Sequence, residues 1–69
     1  MTNTEKLAAS IAMLRGDSFS QGSSLMFMLN GKFFVLQTVG PADTCKRLET
    51  DSWVEAITTF AEWRTAIAA

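Results

Sequence analysis

Sixty-nine residues, 48% apolar and 19% charged, make one small folded domain rather than a disordered tail. Six basic residues against seven acidic ones leave a net charge of −1, too little for a polybasic nucleic-acid binder or an acidic DNA mimic. With no His and a single cysteine, Cys45, counting excludes an intramolecular disulfide, His-based catalysis and Cys/His zinc sites.

The first residues, Met1-Thr2-Asn3-Thr4-Glu5, lack the basic start of a signal peptide. No apolar run approaches the ~18 residues of a membrane span. With the lone thiol, this makes the cytoplasm the expected location, without membrane contact. A helix is predicted over 4–15. Leu7, Ile11 and Leu14 recur at i, i+4, i+7 and are expected to face the core. Thr2 and Glu5 have the spacing of a capping box, and Gly16 suits the helix stop. Residues 16–24 are rich in Gly and Ser and read as a loop, with Phe19 anchoring it to the core.

The strongest signal lies in 24–39. Asn30-Gly31 sits between two apolar runs, and that dipeptide supplies both positive-φ residues of a type I′ turn. The turn sets the register: Leu29 opposite Lys32, Met28 opposite Phe33, Phe27 opposite Phe34, Met26 opposite Val35, Leu25 opposite Leu36. One face then carries Leu25, Phe27, Leu29, Phe34 and Leu36, and the other Met26, Met28, Phe33 and Val35. Both are apolar, whereas a sheet with one wet side alternates apolar with polar. The Phe27/Phe34 face is assigned to the core, because the two helical stripes suffice to cover it; the alternative is one helix on each face, which would make the Met26/Met28/Phe33/Val35 face core as well.

Gly40-Pro41 ends the second strand, and 44–49 reads as a short third strand or a helical turn. A second helix is predicted over 52–67. It is opened by the capping box Ser52–Glu55, with Trp53, Ile57, Phe60 and Ile67 on its inner face. Arg64 falls inside that stripe and is expected to snorkel or to stack on Phe60. The fold class is α+β: a small single domain, α-β-β-(β)-α, with an antiparallel hairpin or sheet against two helices. At this size the expected stability is roughly 3–10 kcal/mol.

Motifs for chemistry are lacking. There is no phosphate-binding glycine loop and no array of hard-cation ligands. Cys45 precedes Lys46 and Arg47 but has no His to act as its base, so it reads as a packed residue. No cofactor and no enzymatic activity are expected.

The order α-β-β-β-α resembles, in outline, the double-stranded RNA-binding domain. That family presents a lysine cluster at the start of its last helix. Here Asp51-Ser52-Trp53-Val54-Glu55 stands in that place, and carboxylates there repel phosphate, so the function does not carry over. In size and style the chain also looks like the small inhibitors of phages and mobile elements, anti-CRISPR proteins among them. That resemblance implies a non-enzymatic module that occupies a larger, nucleic-acid-handling protein. The alternative is a homo-oligomer assembling through its apolar sheet face. The expected partner-binding residues are Met26, Met28, Phe33, Val35 and Arg47, with Glu55 and Glu62 meeting basic residues of a target. Direct nucleic-acid binding through Lys32, Lys46 and Arg47 is disfavoured by its small charge.

Overall fold

Asn30 and Gly31 both take positive φ, 53° and 79°, and close the central hairpin in the register expected from the type I′ turn. The structure, a computed structural model, describes residues 1–37 and 46–65. Along the chain run α1 (Asn3–Leu14), β1 (Phe19–Gln21), β2 (Ser24–Leu29), β3 (Lys32–Gln37), β4 (Arg47–Thr50) and α2 (Trp53–Trp63). The strands form one antiparallel sheet in the order β1-β2-β3-β4. Both helices pack on the same face of it, which makes a two-layer α+β domain.

The third strand differs from expectation in its bounds, and one strand was missed. The third strand exists as β4, shifted toward the C-terminus. Cys45, Gly40-Pro41, Val39 and Ile67 lie outside the described residues. The stretch 16–24 is not all loop: Phe19–Gln21 pairs with Ser24–Met26 as a second hairpin. Gly22-Ser23 is its two-residue connection, with Gly22 at φ 57°. Phe19 does anchor, its ring tilted against Phe60 at 5.6 Å. With β1 added, the order is α-β-β-β-β-α, one strand more than the RNA-binding outline.

The ends of α1 are as the sequence implies. Thr2 Oγ1 accepts the Glu5 amide at 3.1 Å and Glu5 Oε1 accepts the Thr2 amide at 2.8 Å. Gly16, at φ 76°, ends the helix in a Schellman arrangement, its amide on Met13 O (3.2 Å) and that of Asp17 on Ala12 O (2.9 Å).

The core is where the face assignment inverts. It consists of Ala9 and Met13 of α1, Met26 and Val35 of the hairpin, and Ala56, Ile57 and Phe60 of α2. Met26 and Val35 are fully buried, so they belong to the interior and not to a partner surface. Phe33 and Leu48 pack beside them. The reason lies in the neighbours each face acquires from the outer strands. The Phe27/Phe34 face continues into Arg47 and Glu49 and already holds Lys32, so burying it would desolvate three charges. The Met26/Val35 face continues into Phe19, Leu48 and Thr50. It also begins at Ser24, whose hydroxyl donates to Phe60 O at 2.8 Å.

α1 is inverted as well. It buries Ala9 and Met13, while Leu7, Ile11 and Leu14 are 61%, 45% and 85% exposed. Small side chains let α1 approach β1 closely, and Glu5 rather than a leucine lies at the seam with α2.

Candidate functional site

Among the described residues, two apolar surfaces are left over once the core is built. The first is the outer sheet face. Leu25 pairs with Leu36, Phe27 with Phe34, and Leu29 with Lys32. Across β4, Phe34 faces Glu49 and Leu36 faces Arg47. The Phe27 and Phe34 rings stack with centroids 5.2 Å apart and planes 7° from parallel. The Arg47 guanidinium lies over Phe34 at 5.3 Å, so that ring is only 9% exposed although no described helix or strand packs on this face. Glu49 holds both cations of the rim: Lys32 Nζ at 3.4 Å and Arg47 Nη2 at 3.5 Å. Exposed pairs of this kind add at most ~1 kcal/mol each. Their effect is to fix a rim of net charge +1 beside an apolar centre.

The second surface is α1 itself, whose Leu7/Ile11/Leu14 stripe points almost directly away from the sheet. At Leu14 the stripe runs into a groove of about 200 Å³ lined by Ser10, Met13, Leu14, Met28, Phe33 and Trp53. Phe33 and Trp53 are tilted against each other there at 5.5 Å.

The seven residues expected to bind a partner do not form one surface. Met26 and Val35 are core. Met28 and Phe33 line the groove, with Met28 40% exposed. Arg47 lies on the opposite, outer sheet face. Glu55 and Glu62 are exposed on α2, in the helix layer; Glu62 borders a cleft of about 320 Å³ between the helices, which Lys6 also lines. Leu25, Phe27, Leu29 and Leu36 were not expected at a surface. Their signal was the charge of Lys32 on the same face, two residues before Phe34.

A polar seam ties the chain together. Glu5 Oε2 accepts from Gln21 Nε2 and, at 3.1 Å, from Arg64 Nη1, which also donates to Gln21 Oε1 at 2.8 Å. Arg64 thus crosses to α1 and β1 rather than stacking on Phe60. Its Nε is buried without a hydrogen-bond partner among the described residues. The Thr2 backbone amide, then Gln21, the Thr2 hydroxyl and the Arg64 charge lower the Glu5 pKa from 4.5 to about 2. The β1–β2 turn closes the end of α2. Ser23 Oγ donates to Trp63 O, and the Ser23 amide donates to Arg64 O at 3.2 Å.

No three His, Cys, Asp or Glu side chains among the described residues gather to hold a metal ion. No helix among them is long and apolar enough to cross a membrane. No protein-family model matches the chain, and neither does any curated protein or solved structure.

Proposed function

We propose that this domain is a non-enzymatic protein-binding module of the inhibitor type, acting by occupying a larger protein, and that its contact surface is the outer sheet face. The observation that supports this reading is the apolar centre of Leu25, Phe27, Leu29, Phe34 and Leu36 beside the Lys32–Glu49–Arg47 rim. A contiguous apolar patch with a polar border is the usual mark of an interaction site. The stacked rings and the twice-bonded Glu49 are already ordered, so little side-chain entropy is lost on binding. The rim selects a partner whose own apolar patch is bordered by carboxylates. Glu55 and Glu62 lie in the other layer and are left out of this contact.

Leu29, 54% exposed at the hairpin end, is the place to test this. A photo-crosslinking amino acid at Leu29, in native cells, should join the chain to one partner. Leu29→Glu or Lys32→Glu should weaken that partner's binding at least tenfold in a purified assay. The reading fails if both variants bind as the wild type does, or if only Glu55→Lys and Glu62→Lys matter. Cross-links confined to a second copy would instead favour assembly sheet to sheet.

A further inference from the structure

We infer that a second copy of this chain extends the sheet at the outer edge of β4, strand to strand and antiparallel, with the two-fold axis at Leu48. Two observations carry this: the backbone groups that β4 turns outward, and the order of charges along it.

β4 ends the sheet on one side. The Gln37 amide donates to Lys46 O at 3.0 Å, which makes Gln37 and Lys46 a hydrogen-bonded pair. Such pairs alternate along an antiparallel ladder. Leu48 and Thr50 therefore direct their N–H and C=O groups at β3, and Arg47 and Glu49 direct theirs away from it. Among the described residues, no backbone hydrogen bond takes up these four outward groups. They form a template for one more strand.

A strand that uses the template sits opposite Arg47 and Glu49 in hydrogen-bonded pairs. With the two-fold at Leu48, Arg47 pairs with Glu49 of the second copy, and Glu49 with Arg47 of the second copy. Four backbone hydrogen bonds form, and opposite charges face each other twice. The charges also reject the other registers. A shift of two residues one way opposes Arg47 to Arg47, and the other way Glu49 to Glu49. In-register parallel pairing sets each charge beside its own kind. Leu48 packs on the core yet is only half-buried at the edge. In the chosen register it meets Leu48 of the second copy in a non-hydrogen-bonded pair, where side chains come closest. Glu49, which Lys32 already holds at 3.4 Å, then lies between that lysine and Arg47 of the second copy. The opposite edge offers nothing equivalent, because β1 has three residues and no charge. Pairing at β4 joins two four-stranded sheets into one. It leaves the Leu29 end of the outer face open, so the inference does not rest on what binds there.

Sedimentation equilibrium under reducing conditions, up to about 1 mM, is the first test. The wild type should dimerise as concentration rises, and hydrogen exchange at the Arg47 and Glu49 amides should slow several-fold with it. Arg47→Glu and Glu49→Arg should each be monomeric. An equimolar mixture of the two should form a heterodimer, because every charge pair across the edge is then opposite again. Circular-dichroism melts establish that both variants are folded. A wild type that stays monomeric at about 1 mM overturns the inference. So does a dimer that survives either reversal alone, or a mixture of folded reversals that stays monomeric. Should a reversal fail to fold, amide exchange in the wild type decides: a dimer without added protection at Arg47 and Glu49 overturns the pairing. Leu29→Glu should dimerise as the wild type does. Loss of the dimer there would place the contact on the outer face and overturn the inference, whereas loss of partner binding with the dimer intact supports both readings separately.

Discussion

Glu5 joins three parts of the structure: it caps α1, accepts from β1 and pairs with the end of α2. Its carboxylate is held at about 2 against an ordinary 4.5, so its contribution is complete above pH 4.5 and is lost as pH falls toward 2. The denaturant midpoint should therefore drop through that interval, and Glu5→Gln should be less stable at neutral pH with a flatter acid limb. Urea titrations of both proteins from about pH 2 to neutral decide it. Gly22 is the other residue with no substitute. A Cβ there would lie 2.3 Å from Arg64 O, and the backbone is at φ 57°. Gly22→Ala should cost more than ~2 kcal/mol. At Gly16, also at positive φ but with no atom within 4 Å of an added Cβ, alanine should cost only ~1 kcal/mol.

At the scale of elements, the two faces of the hairpin make opposite predictions for similar substitutions. Met26→Glu places a charge among Val35, Phe60 and Ala9 and should unfold the domain, whereas Leu29→Glu should shift the melting midpoint by no more than a surface change does. Phe60→Ala should cost ~3–5 kcal/mol, and Leu14→Ala less than ~0.5 kcal/mol. Thermal melts of these four variants test the orientation of sheet and α1 together. The hairpin, its turn and its register were legible because Asn-Gly admits one tight connection. Both N-caps were legible for the same local reason. Which hairpin face is core was not, because both are apolar and the answer depends on β4. The register of β4 places Arg47 and Glu49 beside Phe34, and no local signal sets it. β1 was hidden by its three-residue length and its Ser and Gln. Gly22-Ser23 between two pairable stretches was its one available sign. α1 misled because its apolar period is genuine but turned outward.

On the scale of the whole molecule, the helices cover one side of the sheet only. The four strands fix a rigid slab whose outer side carries Phe27 and Phe34, and the helix layer carries the Leu7/Ile11/Leu14 ridge on its far surface.

The polar seam also bears on the order of folding. The Asn30-Gly31 turn joins neighbours in the chain, whereas Ser24 reaches Phe60 across 36 residues and Arg64 reaches Glu5 across 59. Closing the longer loops loses more chain entropy, so the hairpin belongs to the nucleus and the seam closes after the barrier. Substitutions then sort by rate rather than by size of effect. Gly31→Val, which strains the turn at positive φ, should slow refolding. Ser24→Ala, which removes the hydroxyl bond to Phe60 O, should leave refolding nearly unchanged and speed unfolding instead. The two arms of a stopped-flow chevron would separate them, and the seam, not the hairpin, would set how long one folded molecule lasts.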